Sequence, residues 1–430
     1  MTNPIVTYKE ACRYLDDLQM HKIKLGLEAM RSTLALLSSP ELKCPAVHVA
    51  GTNGKGSVCS MLGSVMTGAG YKTGLYTSPH LSSVRERFRI GNDYIAEEDF
   101  TRLMETIRAG LGDSRITYFE CTTALAFLWF AENKCDLMIL ETGMGGRLDA
   151  TNVVTPLLSI ITTISLDHEQ YLGYTLEEVA FEKAGIIKEH IPLISGVDEV
   201  LAQEVITEIA GDRRAPVIVK NRDFRMDQDA DSSWLWKSTS TTIELNLLPA
   251  DQPNSWQINN ISCAVGAAVQ LRKSGFTIAD VTIDRGIAAS KWPGRMELIE
   301  TPLRFLLDGA HNQVGVDYLI QSLKHYDYKC LFVIWASMAD KSYRKMLSAI
   351  AGVADVLLLT SPDSERAARP EDLNDQLSSL EEKDIRVCPT VEAACRQVKE
   401  QAGVEDLIVV AGSLYLIGEF RKNLVGEVVD

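Results

Sequence analysis

The segment VHVAGTNGKGSV holds residue types that suit phosphate chemistry: an apolar run, a glycine-rich turn, a lysine and a hydroxyl opening a helical pattern. Glycines let successive backbone N–H groups face an anion, Lys55 can neutralise outer phosphates, and Ser57 can ligate Mg2+ at the helix N-terminus. Gly56 separates Lys55 from Ser57, a departure from the common Gly-Lys-Ser/Thr ending. A plain strand-to-helix turn would use the same glycines, but the flanking run and helix favour a nucleotide. A second segment, ILETGMGGRLDATN, brings Glu141, Arg147 and Asp149 to the end of another apolar run. Carboxylates at the carboxyl ends of parallel strands face the crevice where α/β proteins hold ligands, so Glu141 could reach a magnesium ion. Alone, a Glu beside glycines is as readily a surface loop.

Other candidates are weaker singly. ISLDHEQYLG puts Asp167 and His168 just beyond the run LLSIITTI, where a lone His is either solvated or a metal or phosphate ligand. Lys183 follows in FEKAGIIK, and spacing alone would leave it a solvated charge near a helix end. KWPGRMELIE and LLDGAHNQVG bring Arg295, Asp308 and His311 close in sequence. Arg295 offers a fork of donors for phosphate and Asp308 an acceptor for ribose hydroxyls, with a structural salt bridge as the alternative. Their place at a domain junction points to ATP between two domains, where closure excludes water from a reactive intermediate.

The elements that must position these residues are β-rich runs alternating with helical patterns: AVHVA, SVCSMLGSVM, TGLYT, DLMIL and LLSIITTI. Such alternation is the mark of a mainly parallel sheet flanked by helices. The helix after the first run places Val58, Met61, Leu62, Val65 and Met66 on one face and ends at Gly68 and Gly70. WLWKSTSTTIELNL reads as two antiparallel strands joined by a polar turn. A fresh series then follows: RFLLD, CLFVIWA, DVLLLT, DIRVC and DLIVVAG. The expected organisation is an N-terminal domain over residues 1–296 and a C-terminal domain over 297–430.

At 430 residues the chain exceeds the usual size of one hydrophobic core. Hydrophobic residues make up 46% and are spread throughout, which argues against extended disorder. The formal charge of −15, with no long basic block, argues against a nucleic-acid partner. Nine scattered cysteines, without a Cys-x-x-Cys pair, suit reduced thiols in the cytoplasm. MTNPIVTYKE has neither a basic segment nor an apolar core, and no stretch reaches the roughly 18 apolar residues of a membrane span.

Taken together, GTNGKGS, TSPHL, VRERFRI, TYFE, ETGMGGRLDATN, LDHEQYLG, EKAGI, PGRMELI, LDGAHN and GSLYLIG resemble the folylpolyglutamate synthase and dihydrofolate synthase family of the Mur ligase superfamily. The matches run in order from about Ile23 to Gly418. The resemblance implies an α/β fold, with an N-terminal P-loop ATPase domain and a smaller Rossmann-like C-terminal domain. It also implies ATP-dependent joining of L-glutamate to a folate-type carboxylate through an acyl phosphate. Asn53, Gly54, Lys55 and Gly56 would hold the ATP phosphates, Asn260 would meet the adenine, and Arg295 and Asp308 would complete the site with His311 nearby. Ser57, Ser78, Glu141 and His168 would serve two magnesium ions, and Lys183, carbamylated, would aid the second. Lys55, His168 and Lys183 are thus the catalytic candidates.

The pterin is expected against Ile23, Lys24 and Leu25, against Thr117, Tyr118, Phe119 and Glu120, and against Leu148, Asp149 and Ala150. Tyr118 and Phe119 would suit a flat heterocycle, or simply pack in the core. The family resemblance also leans towards a monomer. A Mur-type peptidoglycan precursor ligase shares the chemistry, but TYFE and TSPHL argue for folate. A non-catalytic nucleotide-binding protein should have lost Lys55, Glu141, His168 or Lys183, and all four are present.

Overall fold

The computed structural model describes residues 5–18, 26–112, 114–229, 233–246, 255–339, 341, 343–378, 383–426 and 429, with only the backbone at 255 and 256. It divides into two compact units, one of Met1–His80 with Val84–Lys291, the other of Leu81–Ser83 with Trp292–Asp430. The main break falls between Lys291 and Trp292, where the sequence leads one to expect 296/297.

The first unit is built on eight strands: β1 (Ala46–Ala50), β2 (Thr73–Tyr76), β3 (Phe88–Ile90), β4 (Asp93–Tyr94), β5 (Leu137–Glu141), β6 (Leu158–Ile161), β7 (Leu193–Ser195) and β8 (Val217–Val219). Their order is β4-β3-β2-β5-β1-β6-β7-β8. Every pairing from β2 to β8 is parallel, and β3 and β4 add antiparallel strands at one edge. All five residues of β1 and of β5 are buried, as expected of central strands covered on both faces.

One face is covered by the helix Tyr118–Glu132, in which Glu120 through Phe130 are all buried. A helix apolar all round sits inside a core rather than on a surface. Another core cluster joins Ala50 and Ile161 to Val179, Ala180, Ala184 and Ile206. The helix Lys55–Gly68 buries Val58, Leu62, Val65 and Met66 of the expected stripe, while Met61 is half-buried. Beyond the main sheet, β9 (Phe224–Gln228), β10 (Trp234–Ser238) and β11 (Thr242–Leu245) form a small antiparallel sheet. The β10–β11 hairpin was legible in the sequence; β9 was not.

The second unit holds β12 (Glu297–Glu300), β13 (Arg304–Asp308), β14 (Leu331–Trp335), β15 (Val356–Leu359), β16 (Asp384–Val387) and β17 (Leu407–Ala411). They run in the order β12-β13-β17-β14-β15-β16, all parallel except β12 with β13. Two apolar layers, one on each face of this sheet, complete its core.

Candidate active site

The loop after β1 is shaped for an anion. Gly54 has φ +84 and caps the helix Lys55–Gly68 without a side-chain hydrogen bond. A Cβ at Gly54 would lie 2.1 Å from Asn260 Oδ1, and one at Gly51 would lie 1.9 Å from Thr162 Oγ1. Only glycine meets both the backbone angle and the close approach. Gly56 and Ser57, both half-buried, follow in the first turn of the helix.

The segment after β6 clasps this loop. Thr52 N–H donates to Thr163 O at 2.8 Å. Asn53 N–H donates to Thr163 Oγ1 at 3.0 Å, while Thr162 Oγ1 donates to Asn53 O at 2.6 Å. Thr52 Oγ1 donates to Ser165 O and accepts from Ser165 N–H, each at 3.0 Å. The strand end that carries Asp167 and His168 is therefore tied to the glycine-rich loop after β1. His168 opens a short helix at φ +51, and its N–H donates to Asp167 Oδ1 at 2.8 Å.

Two lysines converge on one carbonyl. Lys55 Nζ donates to Gly51 O at 3.1 Å and Thr52 O at 3.2 Å. Lys183 Nζ donates to the same Gly51 O at 2.9 Å. Lys183 is 3% exposed, far from the solvated charge that its place in the sequence suggested. Burial, followed by the nearby Lys55 charge, lowers its pKa to about 7.

Glu141 closes the other side. It lies opposite Val49 in the parallel β1–β5 register and is 3% exposed. Its Oε2 accepts Ser78 N–H at 3.0 Å. Glu141 and the Ser57 hydroxyl are hard oxygen donors in the small number that suits Mg2+, which completes its shell with phosphate oxygens and water. Among the described residues no group of three or more His, Cys, Asp or Glu is arranged to hold a metal by itself.

Several expected substrate residues also have structural duties. Asp149 Oδ2 accepts the N–H groups of Gly143 and Met144 at 2.9 and 3.0 Å. Its Oδ1 accepts Thr151 N–H at 3.0 Å and Thr151 Oγ1 at 2.5 Å. Thr151 Oγ1 also lies 2.8 Å from His48 Nε2. The threonine has one proton and gives it to the carboxylate, so His48 must donate from Nε2. Burial holds that histidine neutral, its pKa lowered to about 3. Asp149 thus braces the loop after Glu141, and sequence reasoning missed His48, whose signal was a polar residue centred in an apolar strand. Thr117 and Glu120 form a capping box on their helix. Phe119 packs against Gly143, leaving room for no Cβ there, and Tyr118 is half-buried. Leu148 is half-buried and Ala150 buried beside them. Ile23, Lys24 and Leu25 lie outside the described residues.

In the second unit Asp308 ends β13 and is 2% exposed. Its Oδ2 accepts Met296 N–H at 2.8 Å and its Oδ1 accepts Ala310 N–H at 2.9 Å. Burial raises its pKa, and neighbouring Arg295 opposes the rise. Arg295 Nη1 would lie 2.7 Å from a Cβ at Gly309, and His311 Nδ1 donates to Gly309 O at 2.7 Å. The three residues paired in sequence are thus together, with Asp308 bracing the segments that carry the other two.

Comparison with known proteins places this geometry. Residues 49–268 match the Mur ligase middle domain, and 294–414 match the Mur ligase glutamate ligase domain. The chain is similar to the dihydrofolate synthase/folylpolyglutamate synthase of Bacillus subtilis, 34% identical over 97% of this chain and 99% of that one. It is also similar to the solved structure of Escherichia coli FolC in complex with DHPP and ADP, with 30% identity, 98% and 99% coverage and a TM-score of 0.88. The bifunctional folylpolyglutamate synthase/dihydrofolate synthase of Yersinia pestis, complexed with AMPPNP and Mn ion, matches with 30% identity, 99% and 100% coverage and a TM-score of 0.88.

Proposed function

The chain belongs to the folylpolyglutamate synthase/dihydrofolate synthase family of Mur ligases, and from that premise we propose that it joins L-glutamate both to dihydropteroate and to the glutamate tail of tetrahydrofolate. The observation that carries this reading is the meeting of Lys55 and buried Lys183 on the Gly51 carbonyl, at a helix N-terminus with no side-chain cap. A phosphate entering there finds backbone N–H groups and two nitrogens whose partners among the described residues are loop carbonyls.

A carboxylate is a poor electrophile, so the first step converts it to an acyl phosphate: its oxygen attacks the γ-phosphorus of ATP, and ADP departs. Lys55 turns from the loop carbonyls to the transferring phosphoryl group and offsets its charge. The amine of glutamate then attacks the activated carbonyl, phosphate leaves with the bonding electrons, and the nitrogen gives up a proton. Glutamate is taken up by the second unit, whose residues 294–414 match a glutamate ligase domain. Ser57, Ser78, Glu141 and His168 are the residues proposed to hold Mg2+, two ions in all. When bound, the metal draws negative charge from the phosphate oxygens. The acceptor lies along the first unit, with Tyr118, Phe119, Leu148 and Ala150 lining it, and Asn260 serves the nucleotide beside Gly54. No described helix is long and apolar enough to cross a membrane, and the nine cysteines are free thiols, in keeping with a cytoplasmic enzyme.

Sustained release of ADP over many turnovers should require glutamate together with dihydropteroate or tetrahydrofolate. ADP release with a peptidoglycan precursor and neither folate compound would remove the reading. A second test concerns Arg295 and Asp308. Each alanine variant should weaken ATP by about 10- to 100-fold, the value of charge-assisted contacts, and leave glutamate affinity within about threefold. Asp308→Ala should also cost about 1–3 kcal/mol of stability, because two buried N–H groups lose their acceptor. Calorimetric titration of each ligand checks this; normal ATP affinity with lost glutamate affinity would reverse the assignment.

A further inference from the structure

We propose that Arg87 anchors the non-reacting α-carboxylate of an acceptor that already bears glutamate, and so selects folyl-glutamate over bare pteroate; this rests on the folate reading above. Arg87 ends the turn Val84–Arg87 in VRERFRI, a motif that the reaction described so far leaves without a task. It is 7% exposed. Its Nε donates to His80 Nδ1 at 2.9 Å, and its guanidinium lies 5.3 Å from the centre of the Tyr118 ring. Because an N–H donates here, the bond turns the Nδ1 lone pair of His80 towards Arg87. Among the described residues no carboxylate forms an ion pair with Arg87. A buried cation without a counter-ion is unfavourable. Because His80 occupies Nε, the end-on fork of Nη1 and Nη2 is the face left for an anion, and that fork matches a carboxylate.

The place of this fork identifies the ligand. His80 lies two residues beyond Ser78, whose N–H meets Glu141, and Tyr118 adjoins Phe119, whose ring rests on Gly143. Arg87 therefore links the segment whose Ser78 meets Glu141 to the helix that carries the aromatic pair, all within the first unit. The reacting carboxylate must keep an oxygen lone pair free to attack phosphorus, and a bidentate guanidinium would engage both oxygens. Incoming glutamate belongs to the second unit. That leaves the spectator carboxylate of a folyl-glutamate, a group that pteroate lacks.

The test is equilibrium dialysis of the full chain with pteroate and with pteroylglutamate, in the presence of Mg2+ and a non-hydrolysable ATP analogue. The wild-type protein should prefer pteroylglutamate by about 10- to 100-fold, the range for hydrogen bonds to charged groups. Arg87→Gln should abolish that preference while leaving the pteroate Kd within about threefold. Arg87→Lys keeps the charge but loses the fork, and should reduce the preference at least severalfold; it decides the question if the glutamine variant does not melt cooperatively. A wild-type ratio near one, a ratio that survives both substitutions, or equal weakening of both compounds would overturn the proposal. Binding of either compound by the wild-type protein keeps the folate reading whichever way the ratio falls, and binding of neither removes both.

Discussion

Replacing Lys55 with alanine is expected to abolish ligation, by about a thousandfold or more in kcat, without unfolding the chain. Lys55 is half-buried, and among the described residues its nitrogen donates to the carbonyls of Gly51 and Thr52, so the substitution removes phosphate charge and little packing. It also relieves Lys183 of a nearby like charge, which offsets the two lost hydrogen bonds. A cooperative melt within a few degrees of the wild type, with no glutamylated product, is the expected pair of results. Near-normal turnover would remove the phosphate-loop assignment.

Lys183→Ala should cost most of the activity as well. Its ammonium is buried against a loop that must receive phosphate and cation, and a free ammonium beside Mg2+ would be repelled. Its family resemblance implies carbamylation, and the structure supplies a reason for it. With the pKa lowered to about 7, a large share of the amine is neutral near pH 7. The neutral nitrogen attacks carbon dioxide, an N–C bond forms, and a proton leaves, giving an anion with two hard oxygens. As pH falls through about 7 the amine protonates and the modification should be lost, so activity should fall there and recover with added bicarbonate. Acetate should restore part of the activity of Lys183→Ala, and Lys183→Arg should stay inactive although it keeps the charge. Normal turnover by the arginine variant would sink the carbamate.

The same free-energy reasoning bears on stability. Because the folded chain holds Lys183 with a lowered pKa, it binds fewer protons at this site than the unfolded chain between about pH 7 and the ordinary lysine range. This group therefore costs the folded state progressively more as pH falls towards 7, and the cost levels off below it.

Much of the scaffold could be read from the chain alone, because buried parallel strands need continuous apolar runs. AVHVA, DLMIL, RFLLD and DLIVVAG all became strands at the expected places. Strand β9 escaped because FRMDQ is mixed in polarity and buries only Phe224 fully. The glycine-rich turn after β1 was legible for a different reason: its glycines are required by backbone angle and close approach, which residue type records directly. Lys183 was not legible from spacing, since a helix-end lysine looks the same whether it faces water or Gly51. The duties of Asp149 and Glu120 were hidden for a related reason. Residue type shows that a carboxylate is present, but not that its lone pairs are already taken by the N–H groups of its own loop or helix cap. The grouping of Leu81–Ser83 with the distant Trp292–Asp430 segment is a tertiary fact that no local pattern carries.

The most direct measurement follows heavy oxygen from a labelled acceptor carboxylate while the products are weighed by mass spectrometry. Purified chain, ATP, Mg2+ and glutamate would be incubated separately with dihydropteroate and with tetrahydrofolate. The expected result is a product heavier by one glutamyl unit from each acceptor, with one labelled oxygen in the released phosphate, as an acyl phosphate requires. Absence of glutamylated product from both acceptors, or amide formation with no label in the phosphate, would contradict the proposed reaction.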